Sequence, residues 1–220
     1  MKLAPLMLAA ALALGASSAP AAEPVEGKDY FRIEPALPAA DPAKLLVTEF
    51  FSYQCPHCYK FAKPFEAWSE RQPEDVRVNR AAVAIGHQQW MAAARAFYAL
   101  TALKQLPQAD DALFGAIHRD RRPLFDEASF TDWAAGQGID RAAFQNAFRS
   151  FSVQLQTKRA DDLSRQVRLP SVPALVIDGR YLVAVHDDGD FNDQLAVADA
   201  LIRRARAERA APAKAAAATP

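Results

Sequence analysis

A Cys-Pro-His-Cys turn, Cys55 to Cys58, falls where an apolar run of strand length gives way to a helical pattern, and no other feature constrains the fold as tightly. Residues 45–52 read LLVTEFFS, bounded by Lys44 and by the cysteine motif. A near-continuous apolar run of that length suits a strand covered on both faces, in the centre of a sheet. From Tyr59 to Arg71 the apolar residues Phe61, Phe65 and Trp68 are four and three apart, which marks the core-facing side of a helix. Pro56 fits the first helical position, where its missing N–H leaves no bond unmade, whereas Pro64 falls inside the helix and is expected to kink it. The sulfurs are thereby predicted at a helix N-terminus, directly after a buried strand.

Cys55 and Cys58 are the only cysteines among 220 residues. A chain of that length builds a core without covalent staples, and a disulfide closing so small a loop removes little entropy from the unfolded chain. Chemistry explains the pair better than stapling does.

Residues 23–44 are rich in proline and charge, with Tyr30-Phe31-Arg32-Ile33 as a short candidate strand. Val76 to Ile85 reads as a second core strand. From Gly86 to Val167 the pattern turns helical: Met91 to Leu106, Asp110 to Arg119, Glu127 to Ala135, Arg141 to Phe151 behind an Asp140 N-cap, and Val153 to Val167. Strands resume at Ala174 to Ile177, turn at the hairpin signal Asp178-Gly179 and continue from Tyr181 to Val185. A closing helix is expected over Phe191 to Glu208, and the Ala- and Pro-containing end, residues 210–220, is expected to be disordered. This order predicts a small α/β domain over 23–85 and 168–209, interrupted by an all-helical domain over 86–167 that is a candidate lid.

Lys2, the apolar stretch Leu3 to Leu14 and the small residues ending Ala19-Pro20-Ala21-Ala22 follow the order of a secretory signal, so residues 1–22 are expected to be cleaved and are set aside from the fold. The apolar run is shorter than the roughly 20 residues a membrane-spanning helix wants. Charge is balanced, with 26 Lys plus Arg against 26 Asp plus Glu. No overall positive field gathers phosphate backbones, which argues against nucleic acid as a partner.

The segments EFFSYQCPHCYKF at 49–61 and SVPALVIDGRY at 171–181, taken with the helical insertion and the export signal, resemble the DsbA family of periplasmic thiol oxidants over nearly the whole mature chain. The resemblance implies a thioredoxin-like domain interrupted by an inserted helical domain. It further implies a thiol:disulfide oxidoreductase that donates a Cys55–Cys58 disulfide to reduced, newly exported proteins, through a mixed disulfide at Cys55. No metal and no cofactor beyond the disulfide are expected. The expected partners are those substrate proteins and a DsbB-like quinone-linked membrane oxidase, with the chain itself a monomer. Local sequence alone would leave Val172-Pro173 trans, since about 5 to 6% of X-Pro bonds are cis. The resemblance implies a cis bond facing the disulfide, with Val172 pairing its backbone with an extended substrate. It also implies that Glu49 accepts or relays a proton for Cys58.

Physical reasoning leads toward the same chemistry. Unpaired amides and the positive end of the helix dipole stabilise a thiolate at Cys55, and His57, in the same turn as Pro56, adds a positive charge or a donor. Cysteines so placed titrate at roughly 3.5 to 7.5 instead of 8.5, a range whose lower end belongs to this family. A stabilised thiolate favours the reduced form and makes the disulfide the stronger oxidant. Glu49, placed by alternation on the face of Val47 and Phe51, is costly to bury unless it has a partner or a use. His87, His118 and His186 are scattered and read as surface or structural residues, while Met91, Phe97 and Leu100 read as helix packing.

Three alternatives share parts of this pattern. A disulfide reductase or isomerase would keep the fold but hold the cysteines reduced. A metal-binding module using Cys55, His57 and Cys58 lacks a second cluster to complete the four ligands a structural zinc wants. A non-catalytic peptide-binding domain would be indifferent to the Pro-His dipeptide.

Overall fold

The computed structural model describes residues 23–39, 41–183 and 191–217, with side chains described as far as residue 211. The expected signal, residues 1–22, His186 and the last residues, 218–220, lie outside the described part. Among the described residues five strands form one sheet: β1 (Tyr30–Arg32), β2 (Leu45–Phe51), β3 (Val76–Ala82), β4 (Ala174–Ile177) and β5 (Tyr181–Val183). Their order is β1-β5-β4-β2-β3, with only the β2–β3 pair parallel. β2 is thus an inner strand but one place from the edge rather than central, because β3 carries no further neighbour among the described residues.

Helix α1 (Pro56–Ser69) links β2 to β3, and five helices lie between β3 and β4: α2 (Met91–Ala102), α3 (Leu106–His118), α4 (Glu127–Gly136), α5 (Arg141–Arg149) and α6 (Phe151–Gln166). Asp140 caps α5 as expected, accepting from the Ala143 amide at 2.7 Å. Two expectations about helix ends differ. The helix from Met91 stops at Ala102 because Lys104 takes a left-handed φ of 56°, and α3 restarts early, with Pro107 in its first turn. The closing helix α7 spans Phe191–Ala217, so residues 210–217 continue a helix instead of being disordered. Alanine has the highest helix propensity, and extending an existing helix needs no new nucleus. α1 likewise continues through Pro64.

Alternation along the strands builds two cores. Leu45, Val47, Leu175, Ile177, Tyr181 and Val183 pack with Phe61, Phe65 and Trp68 of α1 and with Leu195, Ala198, Leu201 and Ile202 of α7. Phe50, Ala174, Val176 and Leu182 turn to the other face, where they join the apolar side chains of the helical insertion and both cysteines. The predicted stripe on α1 is therefore core, as are Phe97 and Leu100. The β4–β5 hairpin turns through Asp178 and Gly179 at φ 53° and 64°, the doubly left-handed geometry the Asp-Gly pair predicts. A side chain at Gly179 would also meet the Leu37 Cβ at 2.7 Å.

Candidate active site

β2 delivers the chain into the turn at Ser52 to Gln54, and α1 begins immediately, with Cys55 as its N-cap and Pro56 in the first turn. The Cys55 sulfur accepts the Cys58 amide at 3.4 Å. On its other side lies the loop before β4: the Cys55 thiol donates to the Val172 carbonyl at 3.3 Å, and the Val172–Pro173 peptide is cis. The structure thus brings Cys55, Pro56, His57, Cys58, Val172 and Pro173 together at one end of the sheet. Pro56 and His57 are exposed, while both cysteines are buried and reduced.

The two sulfurs are electrostatically unequal. Cys55 is lowered to about 7, first by the hydrogen bond from the Cys58 thiol and then, against burial, by the Cys58 and His57 amides. Cys58 is pushed well above an ordinary thiol, chiefly by burial, then by its bond to Cys55 and the Cys55 charge, with a smaller push from Glu49.

Glu49 is fully buried, with 0% exposure, under the start of α1. Its direct cross-strand neighbour is Arg80 of β3, whose Nε donates to Glu49 Oε2 at 2.6 Å. The same guanidinium donates through Nη1 to Asp110 of α3 at 2.8 Å, and Asp110 also accepts from the Tyr53 hydroxyl. The Phe51 ring lies 4.0 Å from the guanidinium carbon. Burial raises the Glu49 carboxyl, the Arg80 charge and hydrogen bond oppose this, and Asp110 adds to the rise. Glu49 Oε1 makes no hydrogen bond among the described residues.

Sequence reasoning singled out Glu49 but missed Arg80, Asp110 and Tyr53. It also missed the insertion's hold on the site: Gln54 donates to the Leu124 carbonyl at 2.6 Å, and the His118 ring stacks on Tyr59 at 5.0 Å with Nε2 2.7 Å from the Tyr53 carbonyl. His118 is structural, as expected; His87 is exposed beside the Trp90 ring. Among the described residues no group of three or more His, Cys, Asp or Glu side chains is placed to hold a metal ion.

The unequal sulfurs make the stability of the reduced protein depend on pH. Cys55 is depressed in the fold, so its contribution is complete above the unfolded value of about 8.5 and is lost as pH falls through about 7. Cys58 is raised, so above about 8.5 the unfolded chain loses a proton the folded chain retains, and stability falls again. The difference in urea midpoint between the reduced protein and its disulfide form should therefore rise from about pH 7, peak near about pH 8.5 and then decline. A flat difference would mean that each thiol titrates in the fold as it does in the unfolded chain.

A buried strand, a helix starting at a Cys-x-x-Cys, one favoured and one disfavoured thiolate, and a cis proline loop against the first sulfur define a thiol–disulfide exchange centre on a thioredoxin-like fold. Comparison with known proteins agrees. The profile of the DSBA-like thioredoxin domain family matches residues 46–196. The chain is 37% identical over 202 residues to the thiol:disulfide interchange protein DsbA of Bordetella parapertussis, covering 91% of this chain and 96% of that protein. It is 35% identical over 180 residues to the DsbA of Azotobacter vinelandii, covering 82% and 84%. The crystal structure of Pseudomonas aeruginosa DsbA superposes with a TM-score of 0.79 at 31% identity, over 84% of this chain and 95% of that one. The oxidoreductase DsbA from Xylella fastidiosa gives 0.77 at 34% identity, over 84% and 98%. The chain belongs to the DSBA-like thioredoxin domain family, and it is a protein thiol:disulfide oxidoreductase whose fold carries a helical insertion.

Proposed function

We propose that the protein works as an oxidant in the periplasm, donating its Cys55–Cys58 disulfide to reduced proteins as they are exported. The observation that carries this reading is the inequality of the sulfurs, with Cys55 lowered to about 7 at the mouth of the site and Cys58 raised beneath it. A substrate thiolate attacks Cys55, the Cys55–Cys58 bond breaks, and its electron pair leaves on Cys58, which takes up a proton. A second substrate thiolate then attacks the substrate sulfur of the mixed disulfide and releases Cys55 as a thiolate, oxidising the substrate by two electrons and leaving the enzyme reduced. The Val172 backbone beside Cys55 aligns the extended substrate segment, with Pro173 fixing the loop, and Glu49 supplies and recovers the Cys58 proton. His57 adds to the thiolate's stability from the exposed side of the turn, and Pro56 shapes the first helical turn.

Reoxidation is assigned to a DsbB-like quinone-linked membrane oxidase, and no cofactor beyond the sulfur pair is needed. The export assignment rests on the order of charge, apolar run and small residues over 1–22. No helix among the described residues is long and apolar enough to cross a membrane.

Equilibration with glutathione tests the direction of transfer. The pair is expected to be reduced readily, with a potential more oxidising than thioredoxin's value of about −270 mV. A potential as low as that would overturn the donor reading. In the same assay His57→Ala should make the pair less oxidising and raise the Cys55 titration followed by ultraviolet absorbance; an unchanged titration assigns the whole effect to the amides.

A further inference from the structure

A cavity of about 260 Å³ opens between α1 and α3, lined by Ala62, Phe65 and Glu66 on one side and by Arg80, Leu106 and Asp110 on another. Its wall includes the outer two members of the Glu49–Arg80–Asp110 cluster. Arg80 and Asp110 keep 21% and 25% of their side chains exposed there, whereas Glu49, one ion pair further in, keeps none.

One guanidinium therefore serves two carboxylates, an inner one from β2 and an outer one from the helical insertion. Burial raises the Glu49 carboxyl, and the Arg80 ion pair at 2.6 Å works against that rise by favouring the charged form. Asp110 changes that balance. With both carboxylates ionised the triad has a net charge of −1 in a buried site, and protonating Glu49 removes it. Asp110 is fixed in this position by the Tyr53 hydroxyl as well as by Arg80.

We propose that Asp110 is a positioning residue for the thiol chemistry: by occupying one side of Arg80 it keeps Glu49 able to take up and release the proton of Cys58. This rests on the reading of Glu49 as the proton carrier for Cys58. The groups facing Glu49 are Arg80 from β3, Asp110 from α3, Tyr53 from the turn and Cys58 from α1. Lys63 lies outside this set, paired with Glu66 and Asp111 at the rim. During disulfide donation the electron pair of the broken S–S bond arrives on Cys58 and the proton comes from Glu49; during reoxidation Cys58 returns the proton to Glu49 and its thiolate attacks Cys55 of the mixed disulfide with the oxidase, so the Cys55–Cys58 bond forms and the electron pair leaves on the oxidase's sulfur. A helix of the insertion thereby sets the proton affinity of a group on the sheet.

The test is the pH profile of disulfide exchange in Asp110→Asn, which keeps the shape and polarity of the side chain and removes its charge. With the competing anion gone, Arg80 holds Glu49 as a carboxylate to lower pH. The limb of the profile that belongs to Glu49 should move down by about one pH unit, a roughly tenfold loss of donation rate at a fixed pH on that limb. Asp110→Glu should restore the original limb. In a Glu49→Gln background Asp110→Asn should move nothing further, because the effect passes through Glu49. If Glu49→Gln changes the profile but Asp110→Asn does not, the inference about Asp110 fails and the Glu49 reading stands. If Glu49→Gln leaves the profile unchanged, both fail. A shift by Asp110→Asn that persists in the Glu49→Gln background also overturns the inference. Thermal unfolding of each variant separates these outcomes from loss of folding.

Discussion

Replacing Cys58 by alanine should turn the protein from a catalyst into a trap. The Cys55 thiolate can still attack a disulfide in a partner, but no second sulfur remains to resolve the resulting mixed disulfide. Covalent complexes through Cys55 should accumulate in cells and be released by reductant, while catalytic oxidation of a reduced substrate falls to background. Cys55→Ala should abolish both the complexes and the activity. The structure adds a finer expectation: the Cys58 thiol is the largest single influence lowering Cys55, so Cys58→Ala should raise the Cys55 titration above about 7. Complexes that form equally well through Cys58 in a Cys55→Ala protein would reverse the assignment of the attacking sulfur.

The second large effect is on stability. Phe51 is fully buried at the end of β2, edge-on to Phe97 at 5.1 Å and to Tyr53 at 5.3 Å, with Arg80 over its face. It joins the sheet, the cysteine turn and the insertion in one contact set. Phe51→Ala should cost about 3 to 5 kcal/mol, the range for deleting a buried aromatic ring, read as a lower urea midpoint. A loss below about 1 kcal/mol would mean that the insertion collapses to fill the space.

Much of this architecture was legible because local patterns and the final fold agree. The run at 45–52 had the length and composition of a buried strand, Phe61, Phe65 and Trp68 had helical spacing, and Asp178-Gly179 had the backbone freedom a tight hairpin needs. The helix break after Ala102 was harder to see, since it depends on one left-handed residue, Lys104, in a stretch whose apolar pattern continues. The site divides in the same way. Cys55 and Cys58 declare themselves by spacing, and Glu49 by being charged in an apolar strand. Arg80 does not, because its pairing with Glu49 is fixed by parallel register, and register is set by turns and cores remote from either residue. Asp110 is 30 residues beyond Arg80 on an amphipathic helix where a charged residue is unremarkable. Val172 and Pro173 were placed beside Cys55 by resemblance alone, since a contact between residues 117 apart leaves no local trace.

The division of the sheet into two apolar faces has a practical side. Both cysteines belong to the face shared with the insertion, whereas α7 rests on the opposite one, held to the end of α1 by the Trp68–Asp199 hydrogen bond at 2.8 Å and to the hairpin by Arg209 on Asp178 at 2.9 Å. A fluorophore, affinity tag or surface linker joined along the outer side of α7 therefore sits on the face of the sheet away from the helical insertion. Attachment there suits single-molecule or immobilised assays of exchange, because it leaves the mouth of the site open to bulky polypeptides.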